Sequence, residues 1–201
     1  MFINGLLIGL SLIVAIGPQN AFVIRQGLSR NLAFFTAFLV FLCDSLLISA
    51  GVLGVGQFLT KITWLKILLT IAGALFLTAY GMQALLRVIK TTKFEIDPNK
   101  SKISYKTVIA RSLAFSLLNP HAILDTLVII GSISAQYNFV DSMIFGSGAI
   151  VASFIWFFLL ALVAKVLSRY LQRPITWKFI DFFIGCVCLQ IAYTLFVDLV
   201  G

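Results

Sequence analysis

Long runs of apolar residues alternate with short polar connections along almost the whole chain. Six runs are long enough to cross a bilayer, and they cover residues 2–24, 33–56, 65–86, 112–134, 142–164 and 179–200. A transmembrane helix needs about 20 predominantly apolar residues. The pattern therefore predicts an all-α integral membrane protein with six transmembrane helices in a single transmembrane domain over residues 1–201.

The connection between the third and fourth runs is the longest and most polar, and it divides the chain into two sets of three helices. We place repeat 1 at about residues 1–86, a loop at about 87–107 and repeat 2 at about 108–201. An odd number of spans per repeat inverts the second repeat relative to the first, an arrangement common in secondary transporters. The sequence thus predicts two inverted three-helix repeats.

Each half begins with an apolar run that a proline interrupts. The motifs are Gly17-Pro18-Gln19-Asn20 in the first run and Asn119-Pro120-His121 in the fourth. Proline donates no backbone hydrogen bond and clashes with the carbonyl four residues back, so we expect helices 1 and 4 to break at Pro18 and Pro120. In a membrane the freed backbone groups are tolerated only where protein, water or ligand takes them up. The two breaks therefore predict a binding site, with a kink that only aids packing as the alternative.

Two carboxylates lie inside apolar runs, where each is the only acidic residue: Asp44 in the second run and Asp125 in the fourth. An ionisable residue at bilayer depth is costly and normally faces the protein interior or an aqueous path. His121 precedes Asp125 by four residues, so in an α-helix both would share one face. The position of these two acids predicts a path for a cation or a proton. The alternatives are an ion pair with Arg25 or Arg111, and a histidine that only orients Asp125.

The other reactive groups of the apolar runs have more ordinary interpretations. Asp181 and Asp198 lie near the two ends of the sixth run, where we expect them at the membrane interface. The three cysteines, Cys43, Cys186 and Cys188, lie within apolar runs and cannot all pair with one another. Cys186 and Cys188 are two residues apart and do not share a helix face, so we expect free thiols. We expect no metal site and no cofactor.

Composition and charge agree with a membrane protein and predict its orientation. The chain is 61% hydrophobic and 11% charged, with a mean hydropathy of +1.07, whereas average proteins are roughly 25% charged. Thirteen of the 15 lysines and arginines fall in the first, third and fifth loops. The positive-inside rule places these loops in the cytoplasm and both termini outside. The net charge of +8 thus indicates topology and lipid contact rather than nucleic-acid binding.

Three motifs resemble those of the LysE-type basic amino acid exporters, and the bacterial arginine and lysine exporters are the most similar. The motifs are GPQNAFVIRQGL from Gly17, CDSLLI from Cys43 and NPHAILDTLVIIG from Asn119. The resemblance extends over the whole chain. Relatives that export neutral amino acids typically have PGPN in the first motif and NPK in the last. This chain has IGPQ and NPH there, which places it with the basic-substrate branch.

The resemblance implies export of L-arginine, L-lysine or both across a bacterial cytoplasmic membrane by alternating access between the two halves. The electrochemical gradient would drive this export, with proton antiport. The family's functional positions match Asp44, Asp125, Asn20, Asn119, Pro18, Pro120 and His121. Such exporters also suggest a homodimer. No enzymatic activity is expected.

Three other functions fit parts of the pattern. An exporter of neutral amino acids would share the fold. An exporter of divalent metal ions would usually need more nitrogen or sulfur ligands than two carboxylates and one histidine supply. A membrane thiol oxidoreductase is disfavoured, because related folds that shuttle electrons place a cysteine beside each intramembrane proline, where this chain has glycine, glutamine, asparagine and histidine.

Overall fold

The structure, a computed structural model, describes residues 1–14, 17–28, 32–54, 63–90, 104–118, 123–168 and 174–200. Within these ranges it contains eight α-helices and one π-helix. They are α1 (Phe2–Ile13), α2 (Pro18–Leu28), α3 (Ala33–Val52), α4 (Thr63–Lys90), α5 (Tyr105–Leu117), the π-helix (Leu124–Ile130), α6 (Gly131–Ser134), α7 (Phe139–Leu167) and α8 (Pro174–Val200). The predicted all-α class is confirmed.

Four of these helices are individually long and apolar enough to span a membrane, as expected for a multi-pass membrane protein. The spans are Ala33–Val52 in α3, Thr70–Ile89 in α4, Phe139–Leu167 in α7 and Lys178–Val197 in α8. A fifth is added if α1 and α2 count as one span bent by 80°. The predicted fourth run is not one continuous α-helix, because its described residues form α5, the π-helix and α6.

The first apolar run is broken where the sequence predicts. α1 has 12 residues, which at 1.5 Å per residue is about 18 Å and too short for a hydrocarbon core of about 30 Å. α2 begins at Pro18, a residue that suits the first turn of a helix because its missing N–H has no partner there anyway. The corresponding break at Pro120 lies outside the described residues.

Helix α7 is the centre of the larger group of helices, because α1, α2 and α3 all pack against it. We call these four helices the central bundle. α1 approaches α7 closely through glycines: a Cβ on Gly5 would lie 1.9 Å from the carbonyl oxygen of Phe145, and one on Gly148 would lie 2.1 Å from that of Phe2. Small residues at such crossings let membrane helices meet at backbone distance.

Helices α4 and α8 form a second group, which we call the helix pair, and they pack along each other over much of their length. Leu77 and Ala84 of α4 and Ile184 and Cys188 of α8 are buried between them. Ala21 of α2 belongs to the same apolar cluster. α2 therefore joins the helix pair to the central bundle.

The three cysteines are free thiols, as expected. Cys43 and Cys188 are buried, while Cys186 is exposed. The different exposure of Cys186 and Cys188 agrees with their positions on different faces of α8.

Candidate functional site

Asp44 faces the protein interior from the middle of α3. The buried residues of α3 around it include Ala37, Val40, Ile48 and Gly51, which recur at helical spacing and form one face toward the bundle. Asp44 shares this face, and only 5% of its surface is exposed. Its carboxylate is therefore held within the protein and away from lipid.

Neutral donors from two other helices bind both oxygens of the Asp44 carboxylate. Gln19 Nε2 of α2 donates to Oδ1 at 2.8 Å, and Ser153 Oγ of α7 is 3.4 Å from Oδ2. Gln19 Nε2 also lies 3.3 Å from Ser116 Oγ of α5. We call Gln19, Asp44, Ser116 and Ser153 the carboxylate site, and it joins α2, α3, α5 and α7.

The carboxylate site has no positive partner within the described ranges of the chain. Among the residues that the structure describes, no lysine or arginine pairs with Asp44; the ion pairs found there involve Asp181 instead. Arg25 binds Asp181 and Arg111 is exposed on α5, so neither pairs with Asp44 in the described part of the chain. For Asp125 the alternative of an ion pair stays open. A buried charge without a partner is costly, so the site is suited to take up a cation or a proton.

Asn20 stabilises the break between α1 and α2. Its Nδ2 donates to the carbonyl oxygen of Ile13 at 2.8 Å, at the C-terminal end of α1. Its Oδ1 accepts a hydrogen bond of 3.2 Å from Trp156 Nε1 of α7. The asparagine two residues after the proline therefore satisfies a carbonyl at the break. Trp156 is a participant that nothing in the sequence pointed to.

The remaining predicted residues of the first motif lie at the start of α2. Gly17 immediately precedes the helix and Pro18 is its buried first residue. In the second motif, Asn119, Pro120 and His121 lie outside the described residues. Their predicted roles therefore stay predictions.

Asp125 belongs to the π-helix, and its side chain is not among those the structure describes. The π-helix meets α3 at Gly51, where an added Cβ would lie 3.1 Å from the carbonyl oxygens of Thr126 and Leu127. Gly51 follows Asp44 by seven residues, which is about 10 Å along an α-helix. The segment that carries Asp125 therefore packs on the helix that carries Asp44, about two turns away.

The π-helix itself was not predicted from the sequence. It has seven residues, which is long for an element that usually appears as a single-turn bulge and often at functional sites. The expected i, i+4 alignment of His121 with Asp125 presupposes an α-helix at Asp125, and the backbone there is π-helical.

A second buried carboxylate, Asp181 of α8, binds two arginines. Arg25 of α2 pairs with it through Nη1 and Oδ1. Arg87 of α4 lies 3.4 Å away at two points, Nε to Oδ2 and Nη2 to Oδ1. We call Arg25, Arg87 and Asp181 the ionic cluster. Asp181 is 3% exposed and enclosed by these partners, and its expected position at the membrane interface stays a prediction.

The described cavities lie away from Asp44. An open groove of about 510 Å³ is lined by Thr78 of α4 and Leu189, Tyr193 and Phe196 of α8, among others, and it is largely apolar. It belongs to the helix pair. Within the described ranges, no group of three or more histidine, cysteine, aspartate or glutamate residues is placed to hold a metal ion.

A multi-pass helical bundle with a broken helix, and with a buried carboxylate that no described lysine or arginine pairs, is the architecture of a membrane transport protein. Comparison with known proteins agrees: the sequence model described as "LysE type translocator" matches residues 10–199. The chain belongs to this family, and the resemblance found in its motifs is confirmed.

Curated relatives align over almost the whole chain. The Arginine exporter protein ArgO of Pectobacterium carotovorum subsp. carotovorum (strain PC1) is 37% identical over 195 residues, 97% of this chain and 96% of the relative. The protein of the same name from Salmonella schwarzengrund (strain CVM19633) is 38% identical over 96% of this chain and 92% of the relative. No solved structure matches the chain.

Proposed function

We propose that this chain is a secondary transporter that exports L-arginine, L-lysine or both from the bacterial cytoplasm. The observation that carries the proposal is Asp44, a buried carboxylate whose described hydrogen-bond donors are all neutral. Both substrates carry a cationic side chain that supplies the charge this site lacks. The relatives named as arginine exporters support the same substrate class.

Asp44 and Asp125 bind the side-chain cation in this proposal, or exchange it for a proton. Carboxylates bind guanidinium and ammonium groups through charge-assisted hydrogen bonds, and guanidinium favours a bidentate arrangement. The packing of the π-helix on α3 at Gly51 supports a joint role, since it brings the backbone segments of both acids into one region. Gln19 holds Oδ1 of Asp44 in one orientation, while His121 and Asn119 contribute from the second motif.

The start of α2 binds the substrate's α-carboxylate in this proposal. A helix N-terminus presents backbone N–H groups and the positive end of the helix dipole, which favour an anion. The break before Pro18 brings such a terminus to the level of the carboxylate site, because Gln19 belongs to both. The Asn20 bonds to Ile13 and Trp156 keep this break in place.

The six-segment inverted repeat remains our proposal for the whole chain, and the packing supports it. In that scheme α3 and α7 occupy the same position in the two halves, as do α4 and α8. Each of these pairs packs together, α3 with α7 and α4 with α8. α1 with α2 then corresponds to α5 with the π-helix, and in both cases a helix ends shortly before a proline.

The ionic cluster supports the proposed six-span topology. It joins the end of the first run, the end of the third and the start of the sixth, at Arg25, Arg87 and Asp181. In a six-span chain these ends lie on one side, and the positive-inside rule places them in the cytoplasm with both termini outside. Alternating access then delivers the substrate from this side to the exterior of a cytoplasmic membrane, in exchange for protons and with a homodimer as the assembly.

Counterflow in proteoliposomes tests the substrate. Vesicles loaded with unlabelled arginine should take up labelled arginine, and only external arginine or lysine should compete. Competition by leucine or Cd²⁺ instead would favour the neutral amino acid or metal alternative. Absence of uptake in folded, inserted protein would overturn the proposal.

The double variant Asp44→Asn/Asp125→Asn tests the site. Both changes remove a charge while the side-chain size stays nearly constant, so exchange should fall to background at normal membrane abundance. Undiminished arginine exchange would exclude the two acids as the cation site.

A further inference from the structure

We propose that the ionic cluster is a reversible closure at the predicted cytoplasmic end. Its opening separates the helix pair, α4 with α8, from the central bundle. This inference rests on the proposed transport by alternating access. It differs from a movement of one three-helix half against the other, because the helix pair takes one helix from each half.

The distribution of packing contacts supports two units. α1, α2 and α3 share α7 as their packing partner, and α4 and α8 pack chiefly on each other. Among the described helices of the central bundle, α2 makes the main contact with the helix pair. The interior of each unit is closely packed and resists deformation, whereas few contacts cross the boundary between the units. The boundary can therefore open while both units keep their own packing.

Two kinds of contact cross this boundary near the ionic cluster. One is the Arg25–Asp181 pair between α2 and α8. The other is a small apolar cluster in which Ile24 and Leu28 of α2 pack with Ile180 of α8. Both occur within about one turn of helix, at the end of α2 and the start of α8. They close the boundary at one end.

The two arginines of the ionic cluster have different positions relative to the boundary. Arg25 is on the central bundle, whereas Arg87 is on α4, in the same unit as Asp181. When the boundary opens, Arg25 leaves with α2 while Arg87 stays beside the carboxylate. Asp181 is therefore never left as an unpaired buried charge, the situation that makes breaking a buried ion pair so unfavourable.

An ionic closure also suits a reversible step. Forming an ion pair in a protein trades hydration for attraction, so its net contribution to stability is small in either direction. Arg25 keeps part of its side chain exposed, and water can rehydrate it as the boundary opens. A closure made of a large apolar surface would instead lose its full burial energy at every opening.

Reversible cross-linking tests the opening. In a background with Cys43→Ala, Cys186→Ser and Cys188→Ala, Ile24→Cys and Ile180→Cys would be joined by a short bifunctional methanethiosulfonate, which leaves the ionic cluster intact. Arginine counterflow should fall at least tenfold on cross-linking and return after reduction. Unchanged counterflow in fully cross-linked protein would overturn the proposal.

A matched control joins two positions within the helix pair. Leu85→Cys and Gly185→Cys suit this purpose, because a Cβ on Gly185 would lie 2.7 Å from the Leu85 side chain. This cross-link should leave counterflow within about twofold of the unlinked protein, since α4 and α8 move together. Equal loss in both cross-linked proteins would overturn the two-unit description.

Distance measurement gives a readout that needs no transport. Spin labels at Ile24→Cys and Ile180→Cys should show a short-distance population that shifts toward longer distances when Asp181→Asn is added. The labels of the Leu85/Gly185 pair should show no shift. An unchanged distance distribution between the labels at positions 24 and 180 would overturn the proposed closure. Absence of arginine counterflow in the parent protein without a cross-link would instead count against the proposed function alone.

Discussion

The side-chain amide of Gln19 donates a 2.8 Å hydrogen bond to Oδ1 of Asp44, and so connects the residue after a helix-breaking proline to a buried carboxylate. The two residues are 25 positions apart in the sequence. The contact joins the break at Pro18 to the acid of the next apolar run. The break starts α2 at the depth where its first turn meets Asp44.

Replacing Asp44 with asparagine should reduce arginine counterflow by about 10- to 100-fold. The variant keeps the shape of the side chain but loses the charge, and hydrogen bonds to charged groups contribute about 1.5–3 kcal/mol. The rate per inserted molecule should be measured in proteoliposomes, with abundance and melting temperature determined in parallel.

Asp141→Asn is the matched control for this prediction. Asp141 is in the first turn of α7 and accepts a 2.8 Å hydrogen bond from Asn138 Nδ2, away from the carboxylate site. This variant should exchange arginine within about twofold of the parent, because an exposed hydrogen bond contributes little. Similar losses in both variants would show that Asp44 has no special role.

Gln19→Ala should impair transport more than Ser153→Ala. Gln19 donates to Asp44 at 2.8 Å, whereas the hydroxyl of Ser153 is 3.4 Å from the carboxylate, near the limit of a useful hydrogen bond. We expect about a tenfold loss for Gln19→Ala and less than about threefold for Ser153→Ala. The reverse order, measured as counterflow per folded molecule, would contradict this account of the carboxylate site.

Asn20→Ala should destabilise the protein. Without its amide, the carbonyl of Ile13 and the indole N–H of Trp156 both lose a partner. An unsatisfied buried polar group costs about 1–3 kcal/mol, so the melting temperature in detergent should fall. Trp156→Phe leaves the bond to Ile13 in place and should lower it less. Equal melting temperatures for Asn20→Ala and the parent would contradict the stabilising role.

Gly5→Ala should prevent the close approach of α1 to α7. A Cβ there would lie 1.9 Å from the Phe145 carbonyl oxygen, a backbone atom that cannot rotate away. Overpacking of this kind costs about 1–3 kcal/mol or more. Membrane abundance should therefore drop, while Ser11→Ala, at an exposed position of the same helix, should be tolerated. Normal abundance and melting temperature of Gly5→Ala would show that the two helices can separate without cost.

The sequence determined the features that depend on local composition and spacing. The all-helical, membrane-spanning character, the break at Pro18, the inward-facing position of Asp44 and the family motifs are all contained in short segments, and the structure and the comparisons bear them out. The length of an apolar run and the effect of a proline are both local to about one helix. They can therefore be predicted without knowing which helices pack together.

Only the tertiary structure decided which polar groups meet. Nothing local in the sequence indicates the ion pairs of Asp181, because its partners, Arg25 and Arg87, are 156 and 94 residues away. Ser153, 109 residues from Asp44, and Trp156, 136 residues from Asn20, had no local signal for the same reason. Side-chain hydrogen bonds and ion pairs require contact within a few ångströms. The packing of α2 and α3 against α7, and of α2 and α4 against α8, sets those distances, rather than any spacing along the chain.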